Sequence, residues 1–167
     1  MKNYDKIYPF YRTRHPFSNW HPATFEEKGR VFNCTEQYMM YRKATMFGDY
    51  ETADKIMEAR EPRDQKALGR TVRNFNSKVW NENARQIVYE GCLLKFSQNP
   101  KLKDVLMSTK GSLLAEAATN DLIWGVGLSE DDARIHDVKN WTGTNWLGEV
   151  LTNLREYFED RDPEQKE

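Results

Sequence analysis

Near Asn33 the hydrophobic pattern changes period, and that change limits the chain to a fold with strands first and helices after. Before Asn33, short aromatic runs at Ile7 to Phe10 and Phe17 to Trp20 are split by Arg12-Thr13-Arg14-His15-Pro16, which reads as strand, polar loop, strand. Thr24-Phe25 and Val31-Phe32 then flank Glu26-Glu27-Lys28-Gly29-Arg30, a hairpin pattern with Gly29 at the tip. From Asn33 onward the spacing is helical. Asn33-x-x-Glu36 predicts a capping box opening a helix to about Met46, with Gly48 ending it. Tyr50 to Arg60 predicts a second helix, stopped by Glu61-Pro62, and Pro62 suits the first turn of a third running through Val72. Asn83 to Phe96 and Lys101 to Met107 read as two further amphipathic helices.

Leu113 to Ala118 alternates weakly and predicts a short strand leading into Asn120-Asp121. The clearest single element is the last: Leu147, Val150, Leu151, Leu154 and Phe158 place one apolar stripe on a helix that Asn145 is positioned to cap. Glu159 to Glu167 contains no apolar residue and predicts a solvated, disordered tail. The expected fold class is therefore α+β, mainly helical, with a few short N-terminal and central strands. A chain of 167 residues suits one domain, here expected as a single compact domain over 1–158 followed by the polar tail over 159–167.

Lys and Arg (25) nearly balance Asp and Glu (26), for a net charge of -1, so strong counterion-driven binding to bulk nucleic acid is not forecast. A local patch from Arg12, Arg14, Lys28 and Arg30 would have to hold any nucleic-acid substrate. Two cysteines and three histidines without ligand spacing predict no metal site and no disulfide framework, which suits a reducing, cytoplasmic setting. No run approaches the ~20 apolar residues of a membrane span, so no membrane partner is expected. The absence of G-x-G-x-x-G and of G-x-x-x-x-G-K-[ST] removes support for dinucleotide and phosphate-loop folds, and no cofactor is expected.

Two acidic positions stand out. Glu36 and Lys43 are seven residues apart and share a face of the first helix with Met39 and Met40. An acid and an amine on one face suit general acid-base work or a Schiff base; the same spacing equally suits a capping carboxylate and a surface lysine. Asp121 precedes Trp124-Gly125-Val126-Gly127, a carboxylate beside a flat ring on backbone that turns tightly. That arrangement suits holding and protonating a heterocyclic base, and equally a turn beside a core tryptophan. Arg12, Arg14, Arg70 and Arg73 are candidate phosphate partners, and Trp141 to Gly148 sets hydroxyl, amide and aromatic groups at a helix N-terminus, where an anion could bind. Cys34 is expected as a small buried residue.

Taken in order, Phe10-Tyr11, Phe17-Ser18-Asn19-Trp20, Thr35-Glu36-Gln37-Tyr38 with Lys43-Ala44, Leu68-Gly69-Arg70, Lys95-Phe96, Leu114-Ala115-Glu116-Ala117, Asp121 with Trp124-Gly125-Val126-Gly127, and Asn145-Trp146-Leu147-Gly148-Glu149-Val150-Leu151 resemble the NADAR (YbiA-like) family. The match runs from about residue 8 to 158. The resemblance implies a compact, mainly helical α+β domain and an N-glycosidase that cleaves the C1′–N bond of ribosylated heterocycles. It implies two substrate classes: ADP-ribose on the amino group of guanine, in a free nucleotide, DNA or RNA, and phosphoribosylamino-pyrimidine intermediates of riboflavin synthesis. A non-catalytic module binding ADP-ribose or nucleotide stays open beside them, as does functional pairing with an ADP-ribosyltransferase toxin.

Carried over by the resemblance, Glu36 is the catalytic carboxylate, Lys43 the amine beside it, Asp121 and Trp124 the base-side pair, and Trp80 an aromatic wall. Arg12, Phe17, Ser18, Asn19, Gly125, Gly127 and Asn145 are further substrate contacts. The chain departs from the family pattern at Gln37, where His is common, at Trp20, where Phe is frequent, and in the longer charged connection from Glu130 to Trp141.

Overall fold

The computed structural model describes residues 3–161. Strands β1 (Lys6–Phe10), β2 (Phe25–Glu27) and β3 (Arg30–Phe32) come first, then helices α1 (Thr35–Met46), α2 (Tyr50–Glu58), α3 (Pro62–Gly69), α4 (Ser77–Gln98) and α5 (Pro100–Met107), then β4 (Ser112–Glu116) and α6 (Trp146–Arg161). The class is α+β and mainly helical, with the strands where the pattern predicts short ones. The described residues divide into two compact units, 19–99 and 3–18 with 100–161. No helix among them is long and apolar enough to cross a membrane.

Within residues 19–99, β2 and β3 form an antiparallel hairpin pairing Phe25 with Phe32. Its tip, Lys28-Gly29, holds φ of 51° and 81°, the double left-handed turn whose twist fits a two-residue hairpin. The Phe25 and Phe32 rings stack at 5.5 Å, and both lie against Tyr38 of α1. The expected capping box does not form, because α1 begins at Thr35 after Cys34, which makes no side-chain cap. The Asn33 amide is engaged elsewhere: its Nδ2 donates to the Arg60 carbonyl and its Oδ1 accepts from Gln65. Gln37 reaches back instead, its Oε1 accepting the Asn33 N–H at 2.8 Å while its Nε2 donates to the Ile56 carbonyl at 3.1 Å. This is what the unusual Gln37 does: it ties the entry of α1 to the end of α2.

Asp49 caps α2. The Arg73 backbone N–H, the Thr52 hydroxyl and the Arg73 guanidinium hold its carboxyl well below the usual carboxylate range. Helix α2 stops at Glu58 and α3 at Gly69, both short of the predicted ends. Gln65 takes the Ala59 carbonyl at 2.8 Å, and a side chain at Gly69 would collide with Met40. Helix α4 starts six residues before the predicted Asn83, because the Asn76 Oδ1 accepts the Val79 N–H and so opens a helix where hydrophobic spacing alone gives little signal.

In the other unit, β1 and β4 pair in parallel, Lys6 with Ser112 through Phe10 with Glu116, and α6 lies on β4 with its stripe of Leu147, Val150, Leu151, Leu154 and Phe158 buried. The strand expected at Phe17 to Trp20 is absent. Consecutive turns replace it: His15 donates its N–H to the Arg12 carbonyl, Ser18 to that of His15, and Phe17 to His15 Nδ1. The Phe17 ring packs with Tyr8, Phe10 and His15.

Helix α6 continues to Arg161, so the expected tail does not begin at Glu159; the rest of that tail, 162–167, lies outside the described residues. Arg155 explains the extension in part, since it pairs with Glu159 one turn on. Its buried guanidinium also donates to the Thr109 and Ser112 carbonyls at 2.6 Å each. The connection from Glu130 to Trp141 folds as two short 3-10 turns, Ala133–His136 and Val138–Asn140. Ile135 anchors it among Ala115, Ala117, Val126 and Leu128, and Trp141 Nε1 donates to the Ile135 carbonyl.

Candidate active site

Within residues 19–99 the candidate site is one face of α1. Glu36 sits in the first helical turn, 4% exposed, and its backbone N–H donates to the Asn19 carbonyl at 2.9 Å. Two turns on, the half-buried Lys43 holds its Nζ 4.5 Å from the centre of the Phe75 ring and 5.8 Å from that of Trp80. Burial lowers the pKa of this amine below the ordinary lysine value, the Glu36 carboxylate opposes that shift, and the Arg70 charge adds to it. Glu36 and Lys43 therefore act on each other electrostatically, as their helical spacing predicts. Asn19 contributes more than its carbonyl, since its side-chain Oδ1 is buried with no hydrogen-bond donor among the described residues and is an acceptor with capacity to spare.

A separate candidate lies in the unit of residues 3–18 with 100–161, in the loop from Asp121 to Gly127. Asp121 Oδ1 accepts the N–H groups of Ile123 and Trp124 at 3.0 and 2.9 Å, an Asx turn that fixes the tryptophan beside the carboxylate. The half-buried Trp124 ring meets Trp146 edge to face at 5.5 Å. Gly125 has no room for a Cβ, which would come 2.8 Å from the Asp121 carbonyl and from Ala118. Gly127 holds φ 82° and lies against Thr142. Both glycines are thus required by close backbone packing around the loop.

The anion site expected at the start of α6 is not free. Thr144, Asn145, Trp146 and Leu147 donate their N–H groups to the carbonyls of Leu122, Gly125, Ile123 and Trp124, which uses the donors an anion would need. Nor does Asn145 cap α6 with its side chain: Oδ1 accepts the Glu116 N–H at 3.0 Å and Nδ2 donates to the Leu114 carbonyl at 2.9 Å. Arg73 is likewise committed, to Asp49 and Glu51, whereas Arg70 is exposed close enough to act on Lys43. Cys34 is buried, donates to Gln65 Oε1, and burial pushes its thiol up to about 11.

Glu36, Lys43, Trp80 and the Asn19 backbone thus gather on one side of residues 19–99, while Asp121, Trp124, Gly125, Gly127 and Asn145 build one loop-to-helix junction in the other unit. Arg12 is exposed at φ 78°, Phe17 is fully buried and Ser18 half-buried in the turns after β1. Phe75 is the site neighbour that sequence reasoning missed. Its signal is an aromatic residue between two asparagines, Asn74-Phe75-Asn76, in a stretch otherwise read as a link between helices.

The family model described as the NADAR domain matches residues 9–159. Protein irg-1 of Caenorhabditis elegans is 40% identical over 163 residues, covering 88% of this chain and 77% of that protein. N-glycosidase R617 of Acanthamoeba polyphaga mimivirus is 44% identical over 147 residues, covering 85% of this chain and 86% of its own length. The NMR structure of the E. coli protein YbiA superposes with a TM-score of 0.77 at 26% identity, over 96% of this chain and 89% of that one. By the span of the family match and by these likenesses in sequence and fold, the chain belongs to the NADAR domain family.

Proposed function

We propose that this protein is an N-glycosidase that hydrolyses the C1′–N bond of a ribosylated heterocycle, and that its substrate is guanine carrying ADP-ribose on its amino group, in a nucleotide or a nucleic acid. The observation that carries the reading is the buried Glu36 carboxylate in the field of the half-buried Lys43 amine, with Trp80 beside it. The printed name of the mimivirus relative, N-glycosidase R617, supports the reaction class.

Cleavage of such a bond builds positive charge on the sugar at C1′ and its ring oxygen, and the departing nitrogen needs a proton. A carboxylate shielded from bulk water stabilises that charge far better than an exposed one. Glu36 takes this sugar-side role and orients the water that adds to C1′, leaving the free sugar and the free amine. The family resemblance gives Asp121 and Trp124 the base side, and within their own unit Asp121 Oδ1 is held by the Ile123 and Trp124 N–H groups. Lys43 has two roles open to it. As a free amine, which its lowered pKa favours, it would add to C1′ of the ring-opened sugar. The C1′–N bond to the heterocycle would then break as that nitrogen leaves protonated, and water would hydrolyse the remaining lysine Schiff base. As an ammonium it suits a phosphate. A module that only binds an anionic ligand would gain little from a buried carboxylate such as Glu36.

The test is mass-spectrometric release of ADP-ribose from guanine-modified oligonucleotide by wild type and Glu36→Gln, with a phosphoribosylamino-pyrimidine in parallel and borohydride added to a second aliquot. Release by wild type alone is expected. Cleavage of the pyrimidine only would move the substrate to metabolite processing, equal release by both proteins would remove Glu36 from the mechanism, and the lack of a reduced adduct on Lys43 would leave it as a phosphate ligand.

A further inference from the structure

Phe75 is an aromatic side chain that the fold keeps in the open. It is 44% exposed, although the residue before it, Asn74, adopts a left-handed φ of 61°, and the residue after it, Asn76, is fixed as the cap of α4. Its backbone is therefore pinned on both sides. The ring is supported edge to face by Phe47 at 5.4 Å, and Lys43 lies over it at 4.5 Å. Val79, in the first turn of α4, is also exposed. A core residue would be covered, whereas this one is a flat apolar surface held rigid and bordered by the Lys43 ammonium, on which the Arg70 charge acts.

A rigid exposed ring beside cations is the arrangement that takes a nucleobase linked to phosphate: the base stacks on the ring and the phosphate meets the ammonium and guanidinium. On the reading above the glycosidic bond to be cleaved belongs beside Glu36, and the buried Trp80 ring lies 5.8 Å from the Lys43 amine. Phe75 is a second aromatic surface in reach of the same lysine.

We propose that Phe75 is a stacking platform for a second nucleobase of the substrate, one that carries phosphate and is distinct from the base whose bond is broken. The inference rests on the nucleotide substrate proposed above and deepens it. A phosphoribosylamino-pyrimidine has a single ring and gives the platform nothing to hold, whereas an ADP-ribosylated guanine brings an adenine through its diphosphate, and a strand brings a neighbouring base.

Binding separates these sources without requiring turnover. Calorimetry would compare wild type, Phe75→Leu and Phe75→Tyr with ADP-ribose, ribose 5-phosphate and a short unmodified single-stranded oligonucleotide. Leucine keeps the contact with Phe47 and removes the flat face; tyrosine keeps the face. Stacking on an aromatic side chain corresponds to about fivefold or more in affinity. The expected result is a loss of about that size for ADP-ribose in Phe75→Leu, recovery in Phe75→Tyr, and no change for ribose 5-phosphate, which assigns the platform to the adenine. The same loss confined to the oligonucleotide assigns it to a neighbouring base. Equal affinities of Phe75→Leu and wild type for both ligands overturn the proposal, as does failure of wild type to bind either at millimolar concentration. Turnover by wild type, measured separately, reports on the glycosidase reading: a platform that binds ADP-ribose in a protein without turnover would leave this inference standing and refute that one.

Discussion

Asn145 is the residue whose replacement tests the most of this structure at once. Its side chain is 4% exposed and spans β4, donating to the Leu114 carbonyl at 2.9 Å and accepting from the Glu116 N–H at 3.0 Å, while its own backbone sits at φ 54°. Alanine removes both bonds and leaves a carbonyl and an amide N–H without their partner, each at about 1–3 kcal/mol when buried. The left-handed backbone adds about 1 kcal/mol for a residue with a Cβ and no local hydrogen-bonding group. Partial relaxation tempers the sum, so Asn145→Ala is expected to cost about 3–5 kcal/mol. Asn145→Gly loses the same two bonds without the backbone cost and should be less destabilised by about 1 kcal/mol. Asn145→Asp keeps the acceptor for Glu116, loses the donor, and sets a charge against the Leu114 carbonyl. Urea denaturation followed by tryptophan fluorescence measures all three, with the dependence on denaturant unchanged if the folded and unfolded states stay comparable. A cost below about 1 kcal/mol for Asn145→Ala would refute the clamp and return Asn145 to the substrate contacts that the family resemblance implies.

Lys95 gives a pH test. It is fully buried on α4, and burial brings its amine down to about 8 from an ordinary value near 10.5. Between those values the unfolded chain holds more protons than the folded one, so stability should rise with pH across that window, by roughly 3 kcal/mol as an upper bound, while below about 8 both states are protonated and the burial cost is present in full. Lys95→Met should flatten that rise, and an unaltered pH profile of the urea midpoint would contradict it. The Cys34 and Cys92 thiols, both buried and both pushed up to about 11 by burial, should fail to react with a thiol-specific disulfide reagent at pH 8 until denaturant is added; rapid labelling of the native protein would count against their burial.

Legibility in the sequence followed the range of the interactions involved. The stripe from Leu147 to Phe158 and the Lys28-Gly29 tip are local patterns, and both elements lie where periodicity and turn chemistry put them. Glu36 and Lys43 were readable as neighbours because helical geometry alone brings i and i+7 to one face. The misses depend on partners far along the chain. Asn33 could not be excluded as a cap without knowing that Arg60 and Gln65 occupy its amide. Asn145 has the composition of a helix cap, and only the approach of β4 redirects it. Nothing local marks Arg155 either, since its role depends on the Thr109 and Ser112 carbonyls that the fold places around it. Phe75 escaped for the opposite reason: sequence methods look for aromatic residues that are buried, and this one is held in the open.

The parallel pairing of Lys6–Phe10 with Ser112–Glu116 has a consequence in time. All of residues 19–99 is synthesised between the two strands, so at roughly 5–20 residues per second the N-terminal strand waits on the order of 5–20 s for its partner. During that wait Tyr8 and Phe10, with the Phe17 ring that packs on them, have no sheet to join, while the intervening unit already has its complete sequence on the nascent chain. Completing this unit is therefore a long-range closure that captures a strand made at the outset, and the exposure of that aromatic segment to chaperones or to like segments of neighbouring chains depends on translation speed.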